Sequence, residues 1–326
     1  MGFKQHLPAL CGRLFVFGLL VGVLGTVLPE RGQASLDSYC GNDGRTTAYF
    51  EKRCETLFRP ALEARVFPHL YSFEGGTLIF ETTLPRRVVQ KLYHAAHLVR
   101  AHFFRMTGMN KPVPGDRNTV LRIKIYGSKH DFDRYHTRLY GLPSNNGGIY
   151  IEQQSTLYTY ERTRRESLYT LEELFRHEYA HYLIGRYLVP GLWAEAEIYK
   201  QDRMVWFDEG LAEFLVGSYT EASVSMRDIL LRQIARDQQR MSVTAILSSH
   251  YGSFDFYRYA GLFFAYLYEE EPARLGRLIR TVHTGQATSM DQLTAELKAD
   301  SVMANNFQTY LNDKLEPYQP TILSAK

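Results

Sequence analysis

The segment from His177 to His181 carries the residue types that bind and use a divalent metal ion. It has the form H-E-x-x-H and lies in a stretch without proline that predicts a helix. Residues four apart share one face of a helix, so both imidazoles point the same way and could bind one ion. Glu178, beside the first histidine, could then reach a water molecule on that ion.

A carboxylate for the same metal follows in the segment from Trp206 to Phe214. Glu209 lies 32 positions after His177 (209 − 177) and would complete a His₂Glu zinc site with one position open to water. Glu213 lies one helical turn further on, where it could hydrogen-bond the far nitrogen of a zinc-bound histidine. Because Zn²⁺ lowers the pKa of bound water, Glu178 is the expected general base. The alternative is a solvated helix whose histidines pair with nearby carboxylates.

Composition allows one large domain or two small ones, with 326 residues of which 45% are hydrophobic. The net charge of +3, with no basic run, gives no indication of nucleic-acid binding. The sequence has no Walker A loop, no C-x-x-C pair and no G-x-S-x-G elbow. No nucleotide, thiol-redox or serine-hydrolase motif therefore competes with the metal motif.

The N-terminus predicts a secretory signal over residues 1–34. Basic Lys4 and Arg13 precede an apolar run from Leu14 to Leu28, and small Ala34 follows as the expected cleavage site. A retained membrane anchor is the alternative, although a spanning helix usually needs about 20 apolar residues. We therefore expect a secreted or periplasmic protein with no stable membrane association after cleavage.

Removal of the signal would leave two cysteines, Cys40 and Cys54. An even number of cysteines in an exported chain predicts one disulfide that closes a small loop. Two free thiols are the alternative.

Beyond the signal, the patterns predict an α+β order with a mixed part first and a helical part second. Residues 35–84 show no clear periodicity and are expected to be irregular. The expected helices and strands before the motif helix are the helices Pro85 to Met106 and Ser128 to Tyr140 and the strands Thr119 to Tyr126, Gly148 to Glu152 and Thr156 to Tyr160. The chain beyond Trp206 is expected to be almost wholly helical, with breaks near Gly252, Pro272 and Gly285.

From about Asn145 to Gly217, the sequence resembles the peptidase domain of the bacterial collagenases, which are gluzincin zinc metallopeptidases. The resemblance rests on NNGGIYIE, TYERT, HEYAHYLIGRYLVPGLW and DRMVWFDEGLAEF, with a weaker echo in DFYRYAGLFFAYLYE. It implies a zincin-like fold in which a small mixed or antiparallel sheet lies above the motif helix and a helical subdomain lies below. The peptidase domain is then expected at 85–326, with its upper part at about 85–185 and its lower part at about 186–326.

The resemblance also implies residues that bind substrate and stabilise the transition state. Gly147 and Gly148 would begin an edge strand whose backbone pairs with the substrate, although a simple turn into a strand is the alternative. Tyr259 is the expected donor to the oxyanion, with Tyr257 as its rival. A tyrosine packed in a helix is the alternative for Tyr259.

A calcium site near the zinc is a further implication of the resemblance. Its expected ligands are the carboxylate of Glu152 and the backbone carbonyls of Gly185, Val189 and Gly191. Such all-oxygen, partly backbone sites suit Ca²⁺. The alternative is that Glu152 pairs with Arg186 or Arg176.

These features together predict an exported, monomeric zinc endopeptidase that acts on unfolded or collagen-like polypeptide. One alternative is a peptidase that processes envelope proteins and has no collagen activity. Another is a catalytically idle binding module on a zincin scaffold, against which the intact Glu178 argues. About one peptidase domain remains after the signal, so we do not expect efficient cleavage of triple-helical collagen.

Overall fold

The computed structural model describes residues 59–251 and 255–319. The expected signal at 1–34, the Cys40–Cys54 disulfide and the break near Gly252 lie outside these residues. The chain divides into two compact units, Met1–Arg65 and Val66–Lys326. The fold described below is that of the second unit.

A five-stranded mixed sheet forms the first half of this unit. Its strands are β1 (His69–Phe73), β2 (Leu78–Thr82), β3 (Leu121–Tyr126), β4 (Gly148–Ile151) and β5 (Thr156–Tyr160). Their order across the sheet is β1-β2-β3-β5-β4. The three central strands run parallel, and β1 and β4 pair antiparallel at the two edges. Because β4 is last in this order, it is an edge strand that pairs with β5 alone among the described strands.

The prediction that residues 35–84 are irregular was wrong for β1 and β2. Phe80 of β2 pairs with Ile123 of β3, so both strands belong to the same sheet as the rest of the domain. β1 is an edge strand and is largely exposed. Its sequence, HLYSF, therefore lacks the regular alternation of apolar and polar residues that predicts a strand.

The two helices expected before the motif are confirmed. Helix α1 spans Arg86–Thr107 and ends at Gly108, which adopts a φ of 69° in a left-handed cap. Helix α2 spans Lys129–Tyr140, and the side chain of Ser128 accepts a hydrogen bond from the backbone N–H of Asp131 at its start.

The motif helix α3 spans Leu171–Leu183 and begins with a capping box between Thr170 and Glu173. It packs against α1, against strands β4 and β5, and against the next helix of the chain. At its end the chain makes one π-helical turn, Ile184–Leu188. The N–H of Val189 closes this turn on the carbonyl of Ile184 at 3.0 Å. Single π turns of this kind occur frequently at functional sites.

The second half is helical, as the sequence predicted. Its helices are α4 (Val205–Val216), α5 (Asp228–Ile234), α6 (Val243–Ile246), α7 (Asp255–Glu269), α8 (Pro272–His283), α9 (Ala287–Ala299) and α10 (Ser301–Leu315). Every residue of α4 is buried, and its main partner is α7. A Cβ on Gly210 would lie 2.9 Å from the carbonyl oxygen of Ala260, so these two helices approach closely only because Gly210 has no side chain.

The arrangement is the α+β, zincin-like fold that the sequence predicted, with the motif helix between the sheet and the helical half. Within the described ranges, no helix has the length and apolar content needed to cross a bilayer.

Candidate metal centre

Helices α3 and α4 bring three ligand-type side chains to one point. Nε2 of His177 lies 3.2 Å from Nε2 of His181 and 3.1 Å from Oε2 of Glu209. Nε2 of His181 lies 3.5 Å from the same carboxylate oxygen. Among the described residues, these three form the one cluster of three or more potential ligands close enough to hold a metal ion.

The three separations fit the edges of a tetrahedron around zinc. An ion with nitrogen and oxygen ligands about 2.0–2.1 Å away requires ligand atoms about 3.3 Å apart. The observed edges are 3.1, 3.2 and 3.5 Å. Two imidazoles and one carboxylate are also a donor set that zinc uses in catalytic sites, where a fourth position stays open.

The pKa shifts of Glu209 and His181 favour the binding of a cation by the cluster. Although burial opposes ionisation, the neighbouring His181 lowers the pKa of Glu209 to about 2. Burial likewise opposes the charge on His181, but Glu209 raises the pKa of that imidazole to about 9. The carboxylate is therefore an anion, and a divalent cation would take the place of a proton held between the two groups.

Glu178 lies beside the cluster and is buried. Burial raises the pKa of its carboxyl, because the anion loses solvation, while the nearby histidines and the backbone N–H of Tyr150 act in the opposite direction. A carboxylate with a raised pKa is a better proton acceptor near neutral pH than a solvated one. The N–H of Tyr150 belongs to edge strand β4, so Glu178 faces that strand.

Glu213 lies behind His177, on the side away from the other two ligands. Its Oε2 is 3.8 Å from Nδ1 of His177, which is longer than a hydrogen bond. The far nitrogen thus faces the carboxylate that the sequence analysis assigned to it. Glu213 itself is held by Arg227 and Tyr169.

The two candidate tyrosines of α7 have different surroundings. The hydroxyl of Tyr259 donates to Oδ2 of Asp237 at 2.6 Å. The ring of Tyr257 instead stacks on the ring of His177, with centroids 6.1 Å apart. Burial, and then the charge of Glu209, raise the pKa of Tyr257, which keeps its hydroxyl protonated and able to donate. These surroundings favour Tyr257, the rival of Tyr259, as the candidate donor.

Gly147 and Gly148 lie where strand β4 begins. The carbonyl oxygen of Gly147 accepts hydrogen bonds from the Thr159 hydroxyl at 3.1 Å and from the guanidinium of Arg162. A Cβ on Gly148 would lie 2.9 Å from the side chain of Leu174 on the motif helix. The two glycines thus let the edge strand lie directly on helix α3.

Glu152 follows the edge strand and is buried against the turn after the motif helix. Its Oε2 accepts the backbone N–H of Trp193 at 2.5 Å. Burial raises the pKa of Glu152 to about 6. Arg176 pairs with Glu172, and Arg186 lies 3.5 Å from Asp116, so neither arginine takes the role of partner to Glu152.

The other expected calcium ligands lie on the same turn. Gly185 is in its π-helical part, directly against the Glu152 carboxylate, and Gly191 has a φ of 89°. These residues offer one carboxylate and backbone carbonyls, which are the donor types that Ca²⁺ accepts.

Sequence reasoning missed three buried charged residues near the cluster, Asp208, Arg162 and Arg227. Asp208 is buried, and burial raises the pKa of its carboxyl to about 8. Arg162 is 5% exposed and has no carboxylate within ion-pair distance in the described part of the chain. Its side chain instead donates to the carbonyls of Gly147 and Tyr160. Only its place in the TYERT segment, two residues after strand β5, could have drawn attention to Arg162.

Comparison with known proteins agrees with this geometry. A family model described as collagenase (peptidase family M9) matches residues 42–310. The chain is 37% identical over 253 residues to collagenase ColA of Bacillus cereus strain ATCC 14579, covering 76% of this chain and 26% of the relative. It is 36% identical over 258 residues to collagenase ColT of Clostridium tetani, covering 77% and 26%.

Collagenase ColA of Clostridium perfringens is 33% identical over 255 residues, with 77% of this chain and 23% of the relative covered. The chain thus spans about a quarter of the length of each of these three relatives. The matched family region contains every strand of the sheet and the whole metal cluster. This chain belongs to the collagenase family of zinc metallopeptidases.

Proposed function

We propose that this chain is an exported zinc-dependent endopeptidase that hydrolyses peptide bonds in unfolded or collagen-like polypeptide. The observation that carries the proposal is the triangle of ligand atoms with edges of 3.1, 3.2 and 3.5 Å, with the buried carboxylate of Glu178 beside it. His177, His181 and Glu209 would hold the ion. When bound, zinc would supply a Lewis acid that lowers the pKa of water and polarises the scissile carbonyl.

The proton transfers fall to Glu178. Its carboxylate accepts the proton of the attacking water and then delivers it to the nitrogen of the leaving amine. Burial favours both steps, because it raises the pKa of the carboxyl towards the working pH. A glutamine at this position could bind water but could not carry the proton.

Two elements would bind and orient the substrate. The open edge of β4 lies beside Glu178 and can pair with an extended peptide through its backbone groups from Gly148 onward. The stacking of the Tyr257 ring on His177 supports the Tyr257 hydroxyl as the donor to the oxyanion. An extended, unfolded chain suits this edge, and the names of the relatives support collagen-derived polypeptide as its source.

We also propose that Ca²⁺ binds at Glu152, with the carbonyls of Gly185, Val189 and Gly191 as further ligands. The close contact of the Glu152 carboxylate with the backbone of Gly185 supports this site. The ion would link the end of the substrate-binding strand to the turn that follows the motif helix. Its role would be structural, because its ligands do not include Glu178 or the zinc ligands.

Export rests on the sequence of residues 1–34 alone. Mass spectrometry of protein recovered outside the cytoplasm would test it. A mature chain that begins at Ser35 is expected, and a full-length chain retained in the membrane fraction would contradict it.

The direct test of function uses gelatin, which is unfolded collagen, and intact triple-helical collagen as two substrates. We expect zinc-loaded protein to degrade gelatin, to lose this activity with a chelator and to regain it with added Zn²⁺. Much slower attack on the triple helix is expected, because that substrate offers no free strand edge. Zinc-loaded, folded protein that cleaves neither gelatin nor an unstructured peptide would support the idle binding module instead.

A further inference from the structure

Glu213 is the most deeply buried carboxylate near the metal cluster, at 1% exposed, yet it is not one of the three ligands. Its Oε2 lies 3.8 Å from Nδ1 of His177. That nitrogen has no hydrogen-bond partner among the residues that the structure describes, while Nε2 of the same ring faces Glu209 and His181. The ring therefore presents one nitrogen to the metal position and the other to Glu213.

Two side chains fix the Glu213 carboxylate from behind. The guanidinium of Arg227 donates to Oε1 through Nε at 3.1 Å and a terminal nitrogen at 2.7 Å. The hydroxyl of Tyr169 donates to Oε2 at 2.6 Å. The Arg227 guanidinium also lies 4.3 Å from the centre of the Tyr169 ring, so the two donors hold each other in place.

Arg227 also reaches the start of the motif helix. Its other terminal nitrogen lies 3.7 Å from Oε2 of Glu173, the residue that closes the capping box of α3. One buried guanidinium, itself 3% exposed, thus links the carboxylate behind His177 to the cap of the helix that carries His177. A shift of α3 relative to α4 would break one of these contacts.

Burial of a carboxylate is costly unless a cation and hydrogen bonds compensate for the lost solvation. Arginine keeps its positive charge at any ordinary pH. Its guanidinium can therefore neutralise a buried carboxylate and fix its orientation through paired hydrogen bonds. A carboxylate that faces Nδ1 of His177 favours the tautomer with the proton on Nδ1, which leaves the Nε2 lone pair for a metal.

We propose that Arg227 and Tyr169 are positioning residues that hold Glu213 against Nδ1 of His177 and thereby strengthen zinc binding by the His177, His181 and Glu209 cluster. This proposal rests on the zinc site of the proposed function, but not on peptide hydrolysis. Arg227 and Tyr169 would thus affect zinc affinity through Glu213, to which both donate hydrogen bonds.

The test compares Tyr169→Phe and Arg227→Lys with the control Tyr266→Phe in the full chain. Tyr266 is also a buried tyrosine that donates to a carboxylate, Oε1 of Glu271 at 3.2 Å, but far along α7 from the cluster. The main measurement is the Zn²⁺ dissociation constant by competition with a chromogenic chelator. Thermal unfolding of the metal-free proteins reports the structural effect separately.

We expect zinc to bind about 10–100-fold more weakly to Tyr169→Phe and Arg227→Lys, as is usual when the support of a metal ligand is removed. Tyr266→Phe should bind zinc as the wild type does. Turnover at saturating Zn²⁺ should fall less than affinity, because Glu178 remains in place.

If Arg227→Lys does not fold, Tyr169→Phe alone tests the proposal, since this substitution removes only the hydroxyl oxygen that donates to Glu213. Folded Tyr169→Phe with the zinc affinity of the wild type would overturn the proposal, and so would an equal loss of affinity in Tyr266→Phe. A wild-type protein that binds zinc tightly but cleaves no peptide would overturn the peptidase function and leave this proposal standing. Failure of the wild type to bind zinc would overturn both.

Discussion

The Glu152 carboxylate touches the backbone of Gly185 so closely that a Cβ at residue 185 would overlap its Oε1. The contact joins the residue after edge strand β4 to the turn after motif helix α3. Strand β4 is the proposed substrate-binding edge, and the turn follows the helix that carries two of the proposed zinc ligands. A change at this contact should therefore affect both substrate binding and the zinc site.

Loss of Glu152 should therefore weaken the protein's response to calcium. We expect added Ca²⁺ to raise the melting temperature and the activity of zinc-saturated wild type, since a ligand bound only to the native state stabilises it. In Glu152→Gln both effects should disappear. The exposed Glu195→Gln, on the same loop, is the control. An unchanged calcium response in Glu152→Gln would show that this carboxylate is not a calcium ligand.

Glu178→Gln should abolish most peptidase activity and leave the metal in place. Removal of a general base costs about 10²–10⁴ in rate. Metal analysis should still find one zinc per chain, because Glu178 is not among the clustered ligands. Glu172→Gln is a matched control on the same helix, since its carboxylate is partly exposed and pairs with Arg176. Turnover near that of the wild type in Glu178→Gln would exclude this mechanism.

Glu209→Ala should lose zinc. Loss of an anionic ligand from a three-residue site should weaken binding by more than about 100-fold, since contacts around the ligands alone are worth about 10–100-fold. Equilibrium dialysis against buffered Zn²⁺ would measure this, with the exposed Glu221→Ala as the control. Full zinc occupancy in Glu209→Ala would mean that another residue supplies the third ligand.

Replacing each candidate tyrosine by phenylalanine separates the two. Tyr257→Phe should lower kcat by about 10²–10³, the usual cost of one lost oxyanion donor, with little effect on KM. Tyr259→Phe should keep its turnover and lose about 1 kcal/mol of stability, because its hydroxyl bonds to Asp237. The opposite pattern, with Tyr259→Phe slow and Tyr257→Phe normal, would restore the assignment made from the sequence.

His136 should make the fold sensitive to acid. The imidazole is fully buried between Phe132 and Tyr126, and this burial lowers its pKa from 6.5 to about 4. The unfolded chain then binds a proton that the native state does not, so stability is full above pH 6.5 and is lost as pH falls from there towards 4. The total loss is at most about 3 kcal/mol.

Urea unfolding of metal-free protein at pH 7.5 and pH 5 would measure this loss. Wild type should lose about 2 kcal/mol more than His136→Gln over that interval. The exposed His94→Gln should follow the wild type. Equal acid sensitivity in wild type and His136→Gln would contradict the prediction.

The helical spacing of His177 and His181 was enough to predict that they face one way, because four residues make about one turn. The 32 positions to Glu209 carry no such information. That ligand reaches the histidines because α3 packs against α4, and only knowledge of related zinc sites pointed to it in advance.

The choice between Tyr257 and Tyr259 shows what a sequence pattern does not contain. Residues two apart on a helix point about 200° apart, so only one of the two can face the cluster. Which one does so depends on how α7 is rotated against α4. A Cβ on Gly261 would lie 2.9 Å from the side chain of Glu213, so this glycine lies on the face of α7 that meets α4. A local pattern gives no measure of that rotation.

Arg162 and Arg227 were missed for a related reason. Each lies in a segment without periodicity and finds its partners through the fold: Gly147 lies 15 residues before Arg162, and Glu213 lies 14 residues before Arg227. Strand β1 was missed because a short edge strand exposes too many residues to show alternation. Strand β2 lies inside the sheet and alternates in burial, but its sequence, LIFET, begins with three apolar residues in a row.

The position of Trp193 beside Glu152 depends on the number of residues in the π-helical turn Ile184–Leu188 as well as on their identity. Such a turn holds one residue more than an α-helical turn. Deletion of any one of its residues would let the helix continue regularly and would rotate the chain beyond it by about 100°. The N–H of Trp193 would then leave Glu152, although every side chain named in the metal cluster would still be present. Homologues should therefore keep the length of this turn.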